Sequence, residues 1–227
     1  MNLSPSTIKE IVKLIEHLNL SVVEEDWNGR VFESFLEAVI RGKELGQFFT
    51  PRTVVRFMVS LANLKIKYDE DKEDYKPDLI LDGCCGTGGF LIFALSDMFK
   101  KVEKIPVDKE EFKKKIREKC IFGIDASEED IVPIARMNMY LHGDGGSHIY
   151  MADTLDKEVY IEKGLKGLPQ ERIDELTELK NMIEGGLKFD VMLTNPPFAI
   201  KYKKKDEDQE RILKQYDIAY PGHSLIF

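Results

Sequence analysis

Cysteine is scarce in this sequence, and the little present cannot build a scaffold. Cys84, Cys85 and Cys120 are odd in number and lack framework spacing, which excludes a disulfide-stapled fold. No second Cys/His pair is placed to complete a zinc site with Cys84 and Cys85. All three therefore read as reduced thiols, and the protein as cytoplasmic. The N-terminus lacks a signal-peptide pattern and no apolar run is long enough to span a bilayer, so no membrane partner is expected. There is no internal repeat, and no Ser-His-Asp or Cys-His arrangement with a recognisable signature. Excess positive charge is also missing: the formal net charge is −8. Phosphate contacts need clustered Lys and Arg, so this is not a typical free-standing DNA binder. As one subunit of a complex it could leave most of the positive surface to another chain.

What remains is an ordinary globular composition, 43% hydrophobic and 33% charged over 227 residues, enough for one sizeable core. Ile8, Ile11, Val12, Ile15 and Leu18 predict an amphipathic helix over residues 4–20, capped by Ser4 or Ser6. A second helix is expected from about Gly29 to Arg41. A third is expected to begin at Thr50-Pro51, a capping hydroxyl before a first-turn proline, with Val54, Val55, Met58 and Leu61 inward. Residues 66–77 read as a charged loop. Beyond them, short apolar strands at 78–82, 120–125, 148–152 and 189–194 alternate with helical stretches at 88–100, 108–119, 128–142 and 170–184. That alternation predicts right-handed βαβ units and a parallel sheet.

Four stretches carry chemistry, each at the carboxyl end of a predicted strand. Asp82-Gly83-Cys84-Cys85-Gly86-Thr87-Gly88-Gly89-Phe90 joins the first strand to a helix; its glycines permit a tight turn and close approach of a ligand to helix N–H groups. No Lys-Ser/Thr follows, so this is not a P-loop, and the full dinucleotide spacing is absent. A nucleoside ligand without a phosphate chain fits better. Asp125 ends the second strand, where a carboxylate can accept two ribose hydroxyl bonds. Ser127 is the better helix cap there, which favours the ligand role for Asp125. Asp153 follows the third strand and reads equally as a cap or as a partner for an adenine amine. Asn195-Pro196-Pro197-Phe198 follows the fourth. Two prolines remove two N–H donors, leaving an amide oxygen, backbone carbonyls and an aromatic face. Such a corner suits a planar group bearing an amine: Asn195 and the Pro196 carbonyl accept its N–H bonds while the ring stacks on Phe198. By itself, N-P-P also reads as a rigid turn.

Together these stretches resemble the Rossmann-like S-adenosylmethionine-dependent amino-methyltransferases. In particular, they resemble the modification subunits of type I restriction–modification systems, which are adenine-N6 DNA methyltransferases. Leu45-Gly46-Gln47-Phe48-Phe49-Thr50-Pro51-Arg52 is similar to the family's G-Q-F/Y-x-T-P segment. Asp82 to Leu91 is similar to D-P-x-C-G-T-G-G-F-L, with Gly83 in place of proline. Asn195 to Phe198 is similar to N-P-P-F. Weaker likenesses lie at Arg136 to Gly143, Ala152 to Leu155 and Asp26 to Leu36.

The resemblance implies an α/β Rossmann-like methyltransferase fold with a parallel sheet, preceded by a helical segment, with domains at 1–45 and 46–227. It implies S-adenosylmethionine as cofactor, held by Gln47, Phe48, Phe49, Thr50, Pro51, Asp82, Gly86, Thr87, Gly88, Gly89, Phe90, Asp125 and Asp153. Cys85 belongs to the same stretch, as a small residue packed under the turn. Asn195, Pro196, Pro197 and Phe198 would be catalytic; no metal is implied. The implied partners are DNA, a specificity subunit and a restriction subunit. Family members continue past N-P-P-F with three more strands, so the expectation is an incomplete sheet, four strands of seven, in a truncated chain. Lys201, Lys203, Lys204 and Lys205 read either as holding phosphates beside a flipped base or as a solvated loop. Two alternatives stand beside DNA methylation: an amino-methyltransferase acting on RNA or protein, and a non-catalytic fragment that binds cofactor or a partner.

Overall fold

The structure, a computed structural model, describes residues 4–16, 50–126, 131–143, 148–158, 169–197 and 207–217. The chain divides into two units, Met1–Leu45 and Gly46–Phe227. In the first, helix α1 (Pro5–Ile15) starts at Ser4, whose hydroxyl accepts the Thr7 N–H at 3.1 Å. The expected helix at 29–41 lies outside the described residues.

The second unit opens with helix α2 (Arg52–Ala62) and an antiparallel hairpin, β1 (Ile66–Asp69) with β2 (Asp74–Pro77). The hairpin corrects the expected loop. Its charged residues hide the period-2 pattern, but Tyr68 and Tyr75 pair across the strands with ring centroids 5.0 Å apart, and Lys115 pairs with Asp74 at 2.7 Å. The alternating part follows: β3 (Ile80–Asp82), α3 (Gly89–Val102), α4 (Lys109–Lys119), β4 (Ile121–Asp125), α5 (Ile131–Leu141), β5 (Ile149–Met151), α6 (Gln170–Glu184), β6 (Val191–Met192) and a short α7 (Glu207–Leu213).

Strands β3 to β6 form one parallel sheet in the order β5-β4-β3-β6. Both faces are covered, so the strands read as near-continuous apolar runs. Ile80, Ile121 and Ile149 face one core, built with Val55, Val59, Leu91, Leu95, Ile116 and Met139 from α2 to α5. Leu81, Phe122, Ile124 and Tyr150 face the other, under Leu179 of α6. The two sets alternate along each strand as side chains must.

Two expected core residues of α2 are not core. Val54 and Leu61 are exposed, and the buried residues are Val55 and Val59. The helix is apolar around most of its circumference, so two neighbouring stripes fit the period and packing on α3 selects one. Pro51 is the N-cap rather than the first helical residue, and no side chain caps the helix. Met137 is exposed, whereas Met139 is fully buried against the glycine turn.

Strand β5 is the outer edge of the sheet, and its outward carbonyls are taken. Arg136 of α5 donates to the Ile149 carbonyl through Nε at 3.0 Å and Nη2 at 2.5 Å; Arg172 of α6 donates to the Met151 carbonyl at 2.5 Å. Arg136 also pairs with Glu175 at 2.8 Å. The two guanidiniums occupy the positions an incoming strand would use.

Candidate active site

Chain order β3-β4-β5 runs outward on one side of β3, and β6 then returns to pair on the other. The strand order therefore reverses between β3 and β6, the place where open α/β sheets bind ligands. Four strand ends converge there. The loop after β3 is the glycine turn. Gly86 (φ +52°) and Gly88 (φ +87°) lie in the left-handed region that side chains avoid. Gly88 N–H closes the turn on the Cys85 carbonyl at 2.8 Å, and Gly88 is the N-cap of α3. Among the described residues a Cβ at Gly86 or Gly89 would meet nothing within 4 Å, so the turn presents open space to them at a helix N-terminus.

Every other strand end fastens this turn. At the end of β4, Asp125 accepts the Gly86 N–H at 2.8 Å, and the Ile124 carbonyl accepts the Cys85 N–H at 3.0 Å. After β5, the Thr154 hydroxyl donates to the Gly83 carbonyl. After β6, the Thr194 hydroxyl accepts the Cys84 N–H at 3.1 Å. From α5, Asn138, fully buried, donates its amide to the Thr87 carbonyl at 2.8 Å. Loops 82–88 and 194–197 thus share one edge of the sheet, as a site joining them requires.

The predicted residues fall as follows. Asp82 is 1% exposed at the foot of the turn and accepts the Cys84 N–H at 3.2 Å. Burial pushes its carboxyl up to about 7; bonds from Thr194 and Cys84 oppose the rise, and the Asp125 charge adds to it. Asp125 is buried, and one of its oxygens accepts the Gly86 N–H. Cys85 and Phe90 turn their side chains into the core, so only their backbone lies along the turn. Burial pushes the Cys85 thiol well up, and all three thiols are free. Asp153 accepts the Leu155 N–H at 2.9 Å, so its turn-capping reading is realised. The half-buried Asn195 donates its Nδ2 to the Thr50 hydroxyl at 3.0 Å, joining two segments 145 residues apart; Pro196 and Pro197 are exposed beside it. The sequence predicts Thr50 as the cap of α2; in the structure it does not cap the helix, and its oxygen serves Asn195. Gln47, Phe48, Phe49, Ser127, Phe198 and Lys201 to Lys205 lie outside the described residues.

Thr154, Thr194 and Asn138 were not singled out by sequence reasoning. Asn138 had one usable signal, a polar residue on an otherwise apolar helical stripe with Ala135 and Met139. The threonines had only their position, one residue beyond Asp153 and one before Asn195.

Among the described residues no helix is long and apolar enough to cross a membrane, and no group of His, Cys, Asp and Glu is arranged to hold a metal. A groove of about 490 Å³ lies along α4, lined by Asp74, Phe112, Lys115 and neighbouring charged residues; it contains none of the predicted site residues.

Asp125 and Asp153 beside a helix N-terminus, with Asp82 buried behind the turn, suit a ligand that carries hydroxyl and amine donors. The chain is 27% identical over 168 residues to the type II restriction enzyme and methyltransferase RM.BcgI of Heyndrickxia coagulans, covering 74% of this chain and 20% of that protein. It is 27% identical over 194 residues to the type I restriction enzyme EcoEI methylase subunit of Escherichia coli, covering 85% and 32%. A crystal structure from Vibrio vulnificus YJ016, assigned as the modification subunit of a type I restriction enzyme, superposes with a TM-score of 0.53. That match has 26% identity and covers 86% of this chain and 32% of that one. The chain thus spans a fifth to a third of the length of these relatives. The fold is the Rossmann-like fold of S-adenosylmethionine-dependent methyltransferases. Residues 23–223 match the N-6 DNA Methylase family, and the chain belongs to that family.

Proposed function

We propose that this chain carries the catalytic part of methyl transfer from S-adenosylmethionine to adenine N6 of DNA, within a type I restriction–modification system. One observation carries the reading. The glycine turn and the Asn195 corner meet at the point of strand reversal, joined by Thr194 to Cys84 and steadied by Asn195 on Thr50.

The residues fit the cofactor. The open space over Gly86 and Gly89 leaves room for its amino-acid end at the N-terminus of α3. Asp125 borders that space through its bond to the Gly86 N–H, and Asp125 and Asp153 would accept from ribose and adenine donors. When bound, S-adenosylmethionine supplies a methyl group on sulfonium sulfur, which keeps the bonding pair as the methyl leaves. The chain's own residues prepare the acceptor. The Asn195 side-chain oxygen and the Pro196 carbonyl would accept the two amine N–H bonds, drawing the nitrogen lone pair out of the ring and toward the methyl carbon. As the new N–C bond forms, the nitrogen loses one proton to water. Acceptors fixed before reaction need no reorganisation. Phe198 would stack on the base, which must leave the duplex at a cost of roughly a few kcal/mol. With net charge −8, DNA affinity and sequence choice fall to partner chains, a specificity subunit and a restriction subunit.

The test is transfer of a labelled methyl group to DNA by the chain with and without a specificity subunit, beside RNA and peptide acceptors. Asn195→Ala should lower the rate by roughly 10²- to 10³-fold with cofactor affinity unchanged. Cofactor binding by calorimetry without transfer to any acceptor, even in the assembled enzyme, would refute catalysis and leave a cofactor-binding fragment.

A further inference from the structure

We infer that Thr50 is a positioning residue which holds the Asn195 amide by its nitrogen end, leaving the oxygen for the substrate. The inference rests on the amine-activating role proposed for Asn195. An amide has two ends of nearly equal size and opposite polarity. Only its oxygen can accept from a substrate amine; the flipped amide would set NH₂ against N–H, leaving donors facing donors. Something must therefore choose the end that faces the substrate, and the backbone cannot, because the flip is about the last side-chain bond.

Thr50 meets the nitrogen end of that amide. Its hydroxyl oxygen accepts Asn195 Nδ2 at 3.0 Å, which directs the amide oxygen the other way. The hydroxyl is free of the duty its position suggests. It precedes Pro51, the N-cap of α2, yet that helix has no side-chain cap, and the Val54 and Val55 N–H groups of its first turn reach the Pro51 carbonyl at 2.8 and 3.0 Å. Its mount is rigid, because α2 is anchored in the core by Val55 and Val59, 2% and 5% exposed. The other side of Asn195 is held as well. Thr194, the preceding residue, is pinned to the glycine turn through the Cys84 N–H. Backbone and amide plane are thus fixed from opposite sides, by two hydroxyls on segments far apart in sequence. A residue that only lined the cofactor would have no need to meet Nδ2.

Two variants separate this role from cofactor contact. Thr50→Val keeps the shape and removes the hydroxyl; Thr50→Ser keeps the hydroxyl. With Thr50→Val, kcat for methyl transfer should fall about tenfold, the effect of misplacing one hydrogen bond in the transition state, while KM for S-adenosylmethionine stays within about twofold. Thr50→Ser should recover most of the rate. A rise in KM with kcat unchanged, or no change at all, overturns the proposal. A second readout needs no turnover. In ¹⁵N–¹H spectra of the 227-residue chain, the Asn195 side-chain amide, assigned by its loss in Asn195→Asp, should show one proton protected from exchange. That protection should vanish in Thr50→Val and return in Thr50→Ser. An Asn195 amide equally unprotected in all three proteins refutes the orientation. Protection that follows the hydroxyl in an enzyme without methyl transfer upholds the orientation and refutes the catalytic reading instead.

Discussion

Asp82 offers the sharpest test of the buried charge at the site. The carboxyl is 1% exposed and titrates near 7 in the folded chain against 3.8 for an ordinary aspartate. The folded state therefore holds this proton more tightly than the unfolded chain does. Its contribution to stability is complete below about pH 4 and is lost as pH rises through about 7. Each unit of difference is worth about 1.4 kcal/mol, so the full loss is on the order of 4 kcal/mol, of which about 3 kcal/mol falls between pH 5 and pH 8. Asp82→Asn keeps the shape and one acceptor oxygen for the Cys84 N–H but cannot ionise. Urea unfolding of both proteins at pH 5, 6, 7 and 8 isolates the effect, because titrating groups that do not interact with Asp82 cancel in the difference. The variant should gain about 3 kcal/mol on the wild type between pH 5 and pH 8. A difference that stays level over this range would mean that Asp82 ionises normally, and that the buried-carboxylate account of the turn is wrong. A cationic ligand favours the ionised carboxylate, so wild-type affinity for S-adenosylmethionine should rise through the same range and release protons, measurable by calorimetry in two buffers. Asp82→Asn should lack that component.

Three further outcomes follow from the geometry. Gly86→Ala should cost only about 1–2 kcal/mol of stability, from φ +52°, because its methyl meets no atom of the described residues within 4 Å; that methyl enters the proposed ligand space, so affinity for S-adenosylmethionine should fall far more than thermal stability. Gly83→Ala should cost about 1–3 kcal/mol in urea unfolding, since its Cβ would stand 2.8 Å from Met192 Cε and 2.9 Å from Thr154 Cγ2. Thr154→Ser, which keeps the hydroxyl on the Gly83 carbonyl and removes the methyl, should recover part of that loss. Replacing Arg136 and Arg172 together with Met uncovers the Ile149 and Met151 carbonyls on the β5 edge, and sedimentation velocity should then show association that grows with protein concentration.

The substitution of Gly83 for the family's proline shows how far sequence reading carries. On the sequence alone it loosens the turn and leaves its geometry open. In the fold the space a larger residue would need is filled by Met192 and Thr154, and the Thr154 hydroxyl fastens the Gly83 carbonyl. The turn is held by neighbours from two other strand ends rather than by its own ring.

By itself the sequence determined the alternation of strands and helices, the placing of the chemistry at strand ends, and the glycine turn. These depend on local patterns: apolar runs of strand length, amphipathic periods and glycines that must take positive φ. The hairpin at 66–77 escaped because paired backbone, not apolar alternation, makes it. The buried stripe of α2 escaped because two stripes were equally apolar. Only the tertiary structure decided the strand order β5-β4-β3-β6, which brings β6 back beside β3. That return sets Asn195 beside the glycine turn and Thr50 beneath its amide, from opposite ends of the unit. Periodicity within a segment carries no record of which distant segment will supply its hydrogen-bond partner; packing and strand pairing choose that.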